Sequence, residues 1–358
     1  MNQLFLVEKN NIYQVRSQQE ALAPLQEGEV RLAIEKYALT TNNITYAVSG
    51  FKLKYWNFFP AEEPYGVIPV WGYGRVIDTK QPEINIGERY YGYFPMATYC
   101  TVVPHKVKAF GFSDSAAHRQ EMAPVYNQYL RVAAAAEQDA AVDNYTPIIK
   151  PLFATSFLIY QFLKSQAFLD AEQLIITSAS SKTSLALAFN LHQHQATDGK
   201  KIIGLTSARN AQFVQGTAYY DSVLAYEDHL QIDPQKAVIV DMSGNHSLLQ
   251  NLSDHLGELI QHIALVGLTD WKAAGRFSNI PKTQFFFAPN HFKTFYQEYG
   301  AERANQMLNE ALVGFIHDMK ELTELAFITD FEQLSQLYLE MVDGKVDPKK
   351  GYVVKIGE

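Results

Sequence analysis

The chain has 358 residues, more than one hydrophobic core usually organises, so two domains are expected. Its 47% hydrophobic and 19% charged residues exclude the disordered and fibrous classes. A formal net charge of −8 with no clustered Lys/Arg face argues against nucleic acid as a partner, and the lack of about eighteen uninterrupted apolar residues argues against a helical membrane span, which leaves a small molecule.

The first residues, MNQLFLVEKNN, carry no basic region followed by an apolar stretch, so a cytoplasmic location is expected. Cys100 is the only cysteine, which excludes an intrachain disulfide and a cysteine-rich zinc site. From residue 1 to about 109 the pattern is short β-rich runs broken by Gly, Pro and Asn. Glu29 to Glu35 alternates, Tyr65 to Ile77 is apolar with glycines spaced through it, and Ala97 to Val103 reads as a strand beyond Gly87 and Gly92. These predict a small β-domain, with a distorted barrel as one form. From about 113 to 145 the composition turns to Ala, Gln, Glu and Asp around AAAAEQDAAVDN, predicting a surface helix or lid.

Strands and helices alternate from Ala171 onward. Leu174–Thr177, Lys201–Leu205, Ser222–Tyr226, Ala237–Met242 and His262–Gly267 read as strands, Thr183–Gln193 and ARNAQFVQG as helices, and Thr283–Ala288 as a last buried run. This order predicts a parallel sheet with right-handed crossovers. Helical stretches follow at Ala301–Lys320 and Glu332–Val342, and the terminal GYVVKI, a strand without a following helix, is expected to return to the first domain.

In a doubly wound sheet the first strand-to-helix turn receives a dinucleotide pyrophosphate. Here that turn is Thr177-Ser178-Ala179-Ser180-Ser181-Lys182-Thr183-Ser184, and it holds no glycine. Small residues and a helix N-terminus meet part of the requirement, and Ser180, Ser181, Thr183 and the Lys182 ammonium are candidate phosphate contacts. The other reading is a hydroxyl-rich helix cap without a ligand. At the end of the second strand an acidic residue would take the ribose of NAD; this chain has Thr206, Ser207, Arg209 and Asn210, which suit the 2′-phosphate of NADP(H). Arg209 as a plain exposed helix residue is the alternative.

The order GEVRLAIEKYALTTNNITYAVSG, PVWGYGRVI, GERYYGYFPMATYCTVVP, then IVDMSGN and ALVGLTDW resembles the medium-chain dehydrogenase/reductase superfamily. It is similar in particular to the zinc-independent quinone oxidoreductase-like members and to an uncharacterised conserved branch among them. The resemblance spans nearly the whole chain. It implies an α/β fold with a GroES-like β-rich catalytic domain (1–150 and 293–358, with a helical insertion at about 113–145) and a Rossmann doubly wound parallel-sheet domain (151–292). It implies Ser243 and Gly244 near the adenosine side, Gly267 and Thr269 near the nicotinamide side, and candidate catalytic residues Tyr46, Asn42 and Asn43 in the part that faces the nicotinamide. A homodimer is expected by the same analogy. No metal is expected, because neither a Cys/His/Glu nor a Cys/His/Asp zinc shell is present.

The leading expectation is an NADP(H)-dependent oxidoreductase passing a hydride to a small quinone, enone or aldehyde. A dinucleotide-sensing or partner-binding protein without catalysis, and a cofactor-free lyase or isomerase, stand beside it.

Overall fold

The computed structural model describes residues 1–137, 139–194, 198–266 and 280–356. The chain divides into two units, residues 1–148 with 323–358 and residues 149–322, the first boundary falling inside the long helix Ala140–Ser165.

In the first unit strand Val30–Leu39 is the hub. It pairs with Pro69–Thr79, with Tyr99–Val102 and, antiparallel, with the C-terminal strand Lys350–Val354, so the chain end returns to this unit as expected. The sheet runs on through Arg89–Pro95, Gln128–Val132, Gly111–Asp114 and Pro104–Lys108. The glycines inside these strands serve close packing: a Cβ on Gly72 would lie 2.3 Å from the Lys36 carbonyl oxygen, and one on Gly92 would strike the Tyr129 ring at 2.6 Å.

This unit also buries charge. Asp143, in the first turn of the long helix, accepts from Arg89 Nη1 at 2.7 Å and from Lys36 Nζ, while Arg89 Nε donates to Glu35 at 2.6 Å and its guanidinium lies 4.0 Å above the Tyr73 ring. Side chains on Lys36, Arg89 and Asp143 are all nearly inaccessible, so each charge is compensated by its neighbours.

The second unit holds a six-stranded parallel sheet, in the spatial order Ser222–Ala225, Lys201–Thr206, Gln173–Ile176, Ala237–Asp241, Ile260–Leu265, Thr283–Phe285. Strand order reverses between Gln173–Ile176 and Ala237–Asp241, both buried on every residue, as a central parallel strand requires. That reversal is the switch point of a Rossmann sheet.

Three expectations are corrected. Residues 113–139 are not a helical insertion; they form the end of strand Gly111–Asp114, short 3₁₀ turns and strand Gln128–Val132, and helix begins only at Ala140. Four alanines without an apolar stripe do not offset helix nucleation, whereas Tyr129, fully buried, anchors a paired strand. The run Thr283–Ala288 is not buried throughout: its strand is the sheet edge, with one neighbour, and Phe285 is 50% exposed. Residues 293–322, expected with the β-rich domain, belong to the second unit, where helix Ala301–Leu322 sets Phe315 against Phe153 and Phe189.

Candidate functional site

At the carboxyl end of Gln173–Ile176 the chain enters the glycine-free turn. Ser178 takes the left-handed conformation at φ 50°, the role a glycine commonly fills, and Ala179 is held by its N–H to the Leu205 carbonyl at 2.9 Å and by Tyr220 Oη on its own carbonyl at 3.1 Å. Ser181 caps helix Lys182–Gln193, accepting from the Ser184 N–H at 3.1 Å; Ser184, fully buried, donates to the Thr177 carbonyl. Ser180 Oγ accepts from Asn210 Nδ2 at 3.0 Å and lies 3.3 Å from Thr206 Oγ1, which joins the ends of the first two strands.

The hydroxyls of this turn are therefore braces, and the groups left facing a ligand are backbone N–H groups of the helix start, where an anion is favoured. Lys182 and Thr183 are half-buried in that first turn. At the end of the second strand Ser207 opens helix Ala208–Gly216 without a side-chain cap bond, and Arg209 is exposed with no partner among the described residues.

Asp241, fully buried at the end of its strand, organises the other side of the switch point. Its carboxylate accepts from Thr177 Oγ1, from Ser243 N–H and Oγ–H, and from the Gly244 N–H at 2.9 Å; Gly244 adopts φ 63°. Burial holds this carboxyl above its ordinary range despite those donors. Sequence reasoning missed Asp241, although an acid closing an otherwise apolar strand at the carboxyl edge of the sheet was a usable signal. It also missed Tyr226, whose half-buried phenol hydrogen-bonds Ser178; nothing in the pattern marked it. Gly267 and Thr269 lie outside the described residues.

The sequence of residues 37–347 matches the family model described as "Protein of unknown function (DUF2855)". The chain belongs to this family. No curated protein matches it. Among solved structures, this family member is similar to CurA from Vibrio vulnificus in complex with NADPH, at 14% identity and a TM-score of 0.62 with 99% of each chain covered. It is also similar to the yhdH oxidoreductase from Salmonella enterica in complex with NADP, at 12% identity and a TM-score of 0.57, and to the quinone oxidoreductase from Coxiella burnetii, at 13% identity and 0.56, both with 99% of each chain covered. At these identities the likeness is one of fold: GroES-like and Rossmann domains, as in the medium-chain dehydrogenase/reductase superfamily.

The remaining candidates of this family member, Asn42, Asn43 and Tyr46, stand together on the short helix Thr41–Val48 of the first unit. Asn43 is committed within the fold, its Oδ1 accepting from the Thr40 N–H at 2.8 Å and its Nδ2 donating to the Pro69 carbonyl at 3.0 Å, so it positions the helix and has no free group for a ligand. Asn42 and Tyr46, one turn apart, are bonded to each other at 2.7 Å. Tyr46 is buried in an aromatic cluster, 4.4 Å from Tyr55 and 5.9 Å from Tyr93 by ring centroids, with Phe58, Trp71 and Tyr126 packed around them. Tyr126 and Tyr129, expected in a lid, belong to this core, and so does Phe58. Cys100 is buried, and the loss of water pushes its thiol up to about 12, which fits a small hydrophobe and not a thiolate ligand.

Proposed function

We propose that this chain is an NADP(H)-dependent oxidoreductase that reduces a small quinone, enone or aldehyde without zinc. The observation that carries the reading is Arg209. An exposed guanidinium without a partner stands at the end of the second strand, beside Ser207 and Asn210, where an NAD enzyme would carry a carboxylate. The donor set fits the cofactor: backbone N–H groups at the helix start for the pyrophosphate, Lys182 and Thr183 in the same turn, a guanidinium for the 2′-phosphate, and the Asp241-held turn Ser243–Gly244 on the adenosine side. NADPH or NADP in the crystals of CurA and yhdH, on the same fold, supports it.

When bound, the reduced nicotinamide supplies the hydride. The chain's own part is to hold the phosphates, to exclude charge from the aromatic cluster and to present the Tyr46 hydroxyl to the substrate oxygen.

The test is a titration of the purified chain with NADPH followed by nicotinamide fluorescence, then a carbonyl panel. Binding with turnover is expected; binding without turnover favours a dinucleotide sensor, and no binding refutes the cofactor reading. Lys182→Ala should weaken NADPH by a charge-assisted contact of about 1.5–3 kcal/mol with little change in melting temperature, and unaltered affinity would remove Lys182 from the phosphate site.

A further inference from the structure

We propose that Asn42, Trp71 and Tyr93 converge as hydrogen-bond donors on the phenol oxygen of Tyr46, so that Tyr46 is a proton donor and the phenolate it becomes is held by neutral dipoles. The inference rests on the reading that Tyr46 meets the substrate oxygen.

Four observations carry it. Asn42 Nδ2 donates to Tyr46 Oη at 2.7 Å, and among the described residues no acceptor meets the proton that Tyr46 itself carries. A hydroxyl that is 95% removed from water and accepts without donating has one hydrogen bond still to make. The Trp71 indole, a donor only, bears on the same oxygen, its ring tilted 4.7 Å from that of Tyr93. The Tyr93 hydroxyl, fully buried, has no partner elsewhere and is edge-on to Tyr46, and it too bears on Tyr46 Oη. Every group acting on that oxygen, Tyr55 included, is neutral, and burial holds the phenol well above its ordinary range, so it carries its proton at neutral pH.

The chemistry balances. Reduction of a carbonyl adds two electrons and one hydrogen at carbon, delivered as hydride from a dihydronicotinamide, and leaves the π-electron pair on oxygen. The Tyr46 O–H bond breaks, its proton passes to that oxygen, and the bonding pair stays on Oη. Three donors then bear on the new anion where water cannot, which is stabilisation arranged before the charge forms. Solvent returns the proton after release. Tyr46 is the catalytic residue in this scheme, while Asn42, Trp71 and Tyr93 are positioning residues.

The test replaces Tyr46 in the full chain by 2,3,5-trifluorotyrosine, whose more acidic phenol brings ionisation into a measurable range, and follows its absorbance against pH. Asn42→Leu and Trp71→Phe should each lower the acid dissociation constant about tenfold, as expected for loss of one hydrogen bond to the charged form. Trifluorotyrosine at position 37, buried with no donor on its hydroxyl, should not respond to either change. In the unlabelled enzyme the same substitutions should reduce kcat and leave KM nearly unchanged, with circular dichroism confirming the fold. A titration indifferent to Asn42→Leu, or shifted the other way because Asn42 accepts from Tyr46, overturns the donor shell whatever the cofactor result. A parent chain that binds no NADPH overturns the hydride-transfer reading and the proton step with it, while the titration still decides the donor shell.

Discussion

Each unit of the molecule buries one aspartate at a structural junction, and the two titrate in opposite directions. Asp143 in the first unit and Asp241 in the second both lose water, which favours the neutral acid. At Asp143 hydrogen bonds and charge from Arg89 and Lys36 outweigh that loss, and the carboxyl is held below its ordinary range. At Asp241 the donors are Thr177, Ser243 and the Gly244 N–H, all neutral, and burial wins. Several good hydrogen bonds do not substitute for a full opposite charge in a dry site. The first unit therefore spends its charges on architecture, while the second leaves its one exposed cation, Arg209, uncommitted at the sheet edge.

The largest way to break this comparison is Asp143→Ala, which strands Lys36 and Arg89 in the interior. Urea unfolding should register a loss of about 3–5 kcal/mol; a loss below 1 would mean that water or another anion replaces the carboxylate. Asp241→Asn should cost about 1–3 kcal/mol, because an amide cannot accept from all the donors that face the carboxylate.

The pH dependences should also oppose each other. Because Asp143 is depressed in the folded state, its stabilisation is present above the ordinary carboxylate range and is lost as pH falls through the folded value. Because Asp241 is raised, its contribution is full below that range and is lost as pH rises through the elevated value. Unfolding measured across pH 3–7 should thus find the cost of Asp241→Asn greatest at the acid end, and the reverse trend would refute the assignment.

Smaller, and on binding instead of folding, Arg209→Ala should weaken NADPH about tenfold, or about 1.4 kcal/mol, and leave NADH unaffected. Equal loss for both cofactors would place Arg209 away from the 2′-phosphate. Cys100 is a third buried acid, raised chiefly by burial with Arg119 lowering it less, and the smallest effect is expected there: iodoacetamide should label it only on unfolding, and rapid labelling of the native chain would contradict its burial.

The sequence by itself determined the parallel sheet, because central strands such as Leu174–Ile176 and Ala237–Val240 must be apolar on both faces and the helices between them leave their own period. It also marked the turn at Ser180–Thr183 and the arginine at 209, since turn chemistry and charge are local properties. Only the tertiary structure decided what the polar groups do with one another. That the turn's hydroxyls brace it from within, that Asn43 is spent on its helix, that Asp241 ties two strand ends together, and that the Tyr46 phenol accepts without donating all depend on pairs as far as 64 residues apart in the chain. Hydrogen bonding is directional and operates across a few ångströms, so its partners are fixed by how the sheets and helices pack, and no periodicity along the chain records them.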